Sequence, residues 1–144
     1  MARLAEILDR KGDSVVCIPA RSTVYEALQR MVQKGVGSVL VLEDERIVGI
    51  FTERDYLRRV AVPELPPDTP VGQVSTTELV VVIPGDSVLD CMAVMTQRRI
   101  RHVPVMDGGR LCGLVSIGDL VKHASAEQQV EIQYLREYIS GTSH

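Results

Sequence analysis

The chain has 144 residues, 45% of them hydrophobic, and a formal net charge of −3, the size of one soluble domain or of two half-sized units sharing a core. The mildly acidic balance speaks against whole-surface attraction to nucleic acid or an anionic membrane. An aromatic content of 3% with no tryptophan leaves little on which to stack single-stranded bases.

In chain order, Leu4 to Leu8 read as a short helical lead-in. A β-branched run, Val15-Val16-Cys17-Ile18, then stops at Pro19, whose missing N–H ends a strand. Val24, Ala27, Leu28, Met31 and Val32 recur at helical spacing behind a capping hydroxyl. Ser38 to Leu42 and Ile47 to Phe51, separated by Glu43-Asp44-Glu45-Arg46, predict a hairpin, and a second helix starts at Thr52 and carries Tyr56-Leu57. Residues 63–70 hold four of the seven prolines and read as a stiff extended connector.

The same grammar then returns. Leu79 to Ile83 predict a strand stopped by Pro84, and Val88, Cys91, Met92 and Met95 a helix. Val103 to Met106 and Leu111 to Val115 flank Asp107-Gly108-Gly109-Arg110 as a hairpin, in which Pro104 indicates an edge position. Ser116 opens a helix through Leu120-Val121, and residues 126–139 form a terminal amphipathic helix. Shifted by 64 positions, Thr23–Leu57 aligns with Ser87–Val121 with eight identities in 35 pairs, where chance gives roughly two. The chain is a duplication of a strand, helix, hairpin, helix unit: residues 1–62 hold the first copy and its lead-in, 63–72 the linker, 73–124 the second copy and 125–144 the terminal helix and tail. A unit of about 50 residues is small to stand alone, so the two copies are expected to pack sheet to sheet.

Both copies carry glycine, two apolar residues, a hydroxyl, two spacers and an aspartate: Gly49-Ile-Phe-Thr52-Glu-Arg-Asp55 and Gly113-Leu-Val-Ser116-Ile-Gly-Asp119. Helix capping alone accounts for the hydroxyl and the acid. The same geometry suits a nucleotide, because helix-start amides and a hydroxyl favour phosphate while a carboxylate one turn in accepts both hydrogen bonds of a ribose diol. Capping and ligand binding are compatible.

The segments GVGSVLVLEDERIVGIFTERDYL and RIRHVPVMDGGRLCGLVSIGDLV, each behind an apolar strand, a proline and a helix, resemble the cystathionine β-synthase (CBS) domain, here as the tandem pair often called a Bateman module, of the small stand-alone bacterial signal-transduction type. The resemblance covers about residues 13–123. It implies an α/β (α+β) fold of two βαββα repeats packed as a pseudo-two-fold pair, a homodimer, and adenine-nucleotide binding (AMP, ADP, ATP, sometimes NAD or S-adenosylmethionine) in two clefts between the repeats. In one cleft it places Asp119 and Ser116 on ribose and phosphate, Leu114 against the base and Arg101 or His102 near the phosphate, faced by Gly12, Asp13, Val16 and Val36. In the other it places Asp55 and Thr52, with Ile50, the stretch Ser75 to Thr77 including Thr76, Val80 and Ile100. Gly37-Ser38 replaces Arg101-His102 in the first repeat and removes the cation there, so the Asp119 cleft is expected to bind more tightly, although conversely Arg54 stands beside Asp55 where the second repeat has Gly118.

His102, His123 and His144 lack metal-ligand spacing with one another or with cysteine, and no P-loop, G-x-S-x-G or H-E-x-x-H pattern occurs. Neither a metal site nor a catalytic centre or cofactor is expected. Cys17, Cys91 and Cys112 lie in apolar runs without a C-x-x-C pair, which with the absence of a secretory leader or an apolar stretch of about 20 residues points to reduced thiols in a cytoplasmic protein, with no membrane or nucleic-acid partner. The expected function is a regulatory sensor of adenosine nucleotides acting on an unidentified protein. The alternative is a protein-interaction scaffold without ligand.

Overall fold

The computed structural model describes residues 2–12, 15–125 and 136. Asp13, His144 and the predicted terminal helix at 126–139, apart from Arg136, lie outside the described residues. The architecture is mixed α+β, and the chain forms two units: residues 14–80, and residues 81–144 together with 1–13.

In the first of these, β1 (Cys17–Pro19) pairs in parallel with β2 (Ser38–Glu43), and β2 pairs antiparallel with β3 (Arg46–Thr52). Between β1 and β2 runs α2 (Val24–Lys34), whose cap, Thr23, accepts from the Glu26 amide at 3.1 Å. Its apolar stripe, Val24, Ala27 and Met31, packs with Ile18, Val39, Val41 and Phe51 into one core. After β3 comes α3 (Glu53–Asp55), which winds on into a wider π-helical segment, Tyr56–Ala61.

The proline-rich connector is not extended. Glu64 takes a φ of +61°, and the carbonyls of Thr69 and Pro67 accept from the amides of Val24 and Tyr25 at 2.9 and 3.0 Å. Helix-start amides have no partner within their own helix, so the connector folds back to satisfy two of those on α2.

In the other unit α4 (Val88–Arg98), capped by Ser87, precedes the antiparallel pair β4 (His102–Asp107) and β5 (Arg110–Ser116), and α5 spans the described residues 117–125. The strand expected at Leu79 to Ile83 is reduced to a single bridge, Val82 to Val105. The cause is a proline at each end of the ladder: in the other unit Leu40 donates to the Val16 carbonyl at 2.9 Å and Ala20 to the Leu42 carbonyl at 2.8 Å, and their counterparts Pro104 and Pro84 have no N–H with which to repeat those bonds. Between the two prolines the ladder survives as the pair of bonds from Val82 to the Pro104 carbonyl at 3.1 Å and from Met106 to the Val82 carbonyl at 2.8 Å.

The lead-in is longer than its apolar pattern suggests, α1 (Leu4–Lys11). Its first amides donate to the carbonyls of Asp86 and Pro84 at 3.0 Å each, and Leu4 and Ile7 join Val88, Cys91, Met95, Val103, Val105, Val115 and Leu120 in the core. In chain order α1 precedes the first repeat; in space it completes the second.

Candidate functional site

The two aspartates close the same local turn. Asp55 Oδ2 accepts from the Thr52 amide at 3.0 Å, while the Asp55 amide donates to Thr52 Oγ1 at 3.1 Å. Asp119 Oδ2 accepts from the Ser116 amide at 2.8 Å, and the Asp119 amide donates to Ser116 Oγ at 3.1 Å. Both are reciprocal capping boxes. The hairpin registers set each hydroxyl opposite the start of the neighbouring strand, Ser38 facing Thr52 and His102 facing Ser116.

What surrounds the two boxes differs. Around Asp55, Thr76 exchanges two backbone bonds with Ile50 at 2.8 and 2.9 Å, and its hydroxyl donates to Asp55 Oδ1 at 2.9 Å. Arg59 reaches within 3.8 Å of the same oxygen and donates to the Ser75 carbonyl at 2.8 Å. Both carboxylate oxygens are therefore engaged, and Asp55 is only 7% exposed.

Around Asp119 the place of that bonded segment is taken by the end of α1. Lys11 Nζ donates to Asp119 Oδ2 and to the Leu114 carbonyl, 2.7 Å in each case. Leu114 is the repeat counterpart of Ile50, so the lysine ammonium satisfies the carbonyl that a backbone amide satisfies in the other unit. Gly12 ends α1 directly after Lys11 with φ +86° and ψ 171°, a conformation open essentially to glycine alone. Among the described residues Asp119 Oδ1 has no hydrogen-bond partner. Burial alone would raise the Asp119 carboxyl, but the Lys11 hydrogen bond, the Ser116 amide, the Lys11 charge and the Ser116 hydroxyl outweigh it and hold the group below its ordinary value.

Of the predicted site residues, one unit thus gathers Leu114, Ser116, Asp119 and Gly12, with Arg101 beside them through its carbonyl, which accepts from the Ile117 amide at 2.8 Å. His102 opens β4 opposite Ser116, and Ile100 packs against that unit's core. The other gathers Ile50, Thr52, Asp55 and Thr76; Val16 packs against its core, Val36 is exposed after α2, and Val80 is its last residue. Val16 and Val36, assigned by resemblance to the Asp119 cleft, and Ile100, assigned to the Asp55 cleft, each belong to the other aspartate's unit. The residue missed is Lys11. Its signal lay in the repeat, because the 64-residue shift sets 11–13 against Ser75 to Thr77. Among the described residues no group of three metal-ligating side chains comes together and no helix is long and apolar enough to cross a membrane.

The model of the CBS domain matches residues 5–62 and again 65–126. The chain is 38% identical over 148 aligned residues to a mitochondrial CBS domain-containing protein of Arabidopsis thaliana, CBSX3, covering 96% of this chain and 72% of that protein. A solved structure from Burkholderia ambifaria, described as a signal-transduction protein with CBS domains, superposes with a TM-score of 0.85 at 42% identity, covering 88% of this chain and 96% of that one. The CBS domain protein PAE2072 of Pyrobaculum aerophilum, solved in complex with AMP, superposes with a TM-score of 0.72 at 30% identity over 81% of this chain and 88% of that one.

Proposed function

The chain belongs to the CBS-domain family as a tandem pair, a regulatory module, and from that premise we propose that it binds an adenine nucleotide through Asp119 and so reports nucleotide levels to a protein it regulates. One observation carries the proposal: among the described residues Asp119 keeps Oδ1 unpartnered beside a serine hydroxyl and the start of α5. A carboxylate with a vacant oxygen accepts from a ribose diol, and the hydroxyl and helix-start amides suit the phosphate that follows. Arg101, exposed at the adjoining loop, supplies a cation of the sign phosphate requires. AMP is the first candidate, since a relative with this fold was solved with AMP; ADP, ATP, NAD and S-adenosylmethionine share the adenosine moiety.

Asp55 is the weaker counterpart. Its two oxygens are already engaged by Thr52, Thr76 and Arg59, and a diol there has to break bonds to a segment anchored through its backbone. The module acts without catalysis, as a cytoplasmic homodimer: Tyr25, Val32, Leu57, Val62 and Leu89 leave large apolar surface on the outer faces of its helices, the kind of area that pairing with a second copy covers.

Calorimetric titration with AMP tests the assignment. Asp119→Ala removes two charge-assisted bonds of about 1.5–3 kcal/mol each, so affinity is expected to fall tenfold or more. Asp55→Ala is expected to change it less. Unchanged binding by Asp119→Ala removes the assignment. If none of the five nucleotides raises the melting temperature of the wild-type protein, a ligand-free interaction scaffold becomes the better account.

A further inference from the structure

We propose that the Asp119 site carries its own internal competitor: the Lys11 ammonium holds the carboxylate and the Leu114 carbonyl in the free protein, and a diol ligand enters by displacing it. This rests on the nucleotide reading of Asp119. Lys11 then sets affinity at this site, and ligand entry releases the end of α1.

Three observations support the exchange. The contact is double, with Nζ at 2.7 Å from Asp119 Oδ2 and from the Leu114 carbonyl, so a single side chain takes both acceptors. It is displaceable, because the two side chains are 35% and 25% exposed and a lysine that lets go returns to water on a flexible four-carbon stem. The partner at the equivalent place in the other repeat is of a different kind, Thr76 being fixed by two backbone bonds to Ile50. One aspartate is tied to the fold, and the other is tied to a mobile charge.

The exchange has a signature that a merely structural lysine lacks. Adenosine carries no net charge, so its own contacts with a carboxylate depend little on salt, whereas the partly exposed ion pair it must break is weakened by salt. Adenosine is therefore expected to bind the wild-type protein more tightly at high than at low ionic strength. In Lys11→Met, with Lys11→Gln as the second variant, the affinity is expected to rise on the order of tenfold, the loss of one charge-assisted competitor, and to become insensitive to salt.

The contact itself is read without ligand by acetylation and mass spectrometry, with the exposed Lys34 and Lys122 as internal standards. Lys11 is expected to react more slowly than either, to speed up in Asp119→Asn, and to speed up in the wild type when adenosine is added. Equal Lys11 reactivity in wild type and Asp119→Asn overturns the proposal, and so does adenosine affinity that is unchanged or weaker in both Lys11 variants. Failure of the underlying site reads differently: AMP then binds Asp119→Asn as tightly as wild type, or binds neither, and the competitor falls with it.

Discussion

Asp119 and Asp55 occupy the same step of the same motif, and at Asp119 the carboxyl is held below the ordinary carboxylate range, by Lys11 and Ser116 working against burial. The sign of its effect on stability follows. A depressed native value means the unfolded chain binds the proton more readily, so the stabilisation is present above the ordinary value of 3.8 and is lost as pH falls through the lower native value. The melting temperature of wild type is expected to exceed that of Asp119→Asn at neutral pH, with the gap closing only once the solution is more acid than about 3.8. A gap that is constant on acidification rules out the charge account. Two thiols behave oppositely: burial raises Cys17, partly offset by Arg30, and raises Cys91, with Asp86 adding to it. Neither is a ready nucleophile at neutral pH.

At the scale of elements, the two hairpins meet different neighbours at the glycine that opens each motif. A Cβ on Gly49 comes within 2.7 Å of Ser75 Oγ and 2.9 Å of the Thr76 carbonyl, whereas on Gly113 its close contact, 2.6 Å, is the tip of Leu8. Backbone cannot yield as a leucine methyl can, so Gly49→Ala is expected to cost about 1–3 kcal/mol and Gly113→Ala about 0.5–1.5 kcal/mol, the scale of one displaced rotamer. Chemical denaturation measures both, and a larger loss in Gly113→Ala contradicts the assignment of neighbours. The hairpins, the capped helices and the capping boxes were legible because each is local: a hydroxyl three residues before an acid, or an apolar run on either side of a polar turn, writes its structure within ten residues. The missing second-copy strand was legible only in part: Pro84 marks its end locally, but the bond lost to Pro104 is decided on β4, 20 residues later. The folded connector escaped for a related reason, its carbonyls answering amides on α2 rather than anything in its own composition.

Over the whole molecule, duplication in the sequence and grouping in space differ by one helix. The repeat predicts two equivalent halves, but α1 precedes the first copy and completes the second, filling with Leu4 and Ile7 the core built on α4, β4 and β5. Lys11 escaped sequence reading by the same route, because its partners stand more than 100 positions away and nothing local marks them. The arrangement ties the integrity of the Asp119 site to the first dozen residues, since the side chains that seat α1 also fix where Lys11 ends. Leu4 is fully buried, and Leu4→Ala is expected to cost about 2–5 kcal/mol, as deletion of a buried leucine side chain does when the surroundings collapse only partly. The loss is expected to be regional: amide hydrogen exchange should quicken in α4, β4 and β5 while β2, β3 and α2 keep their protection, because Leu4 belongs to the core built on the former and the latter have a core of their own. The acetylation rate of Lys11 should rise in the same variant as its helix loosens. Exchange that quickens first in β2 and β3 would place α1 with the first repeat after all, and with it would go the physical basis for a lysine that guards the second.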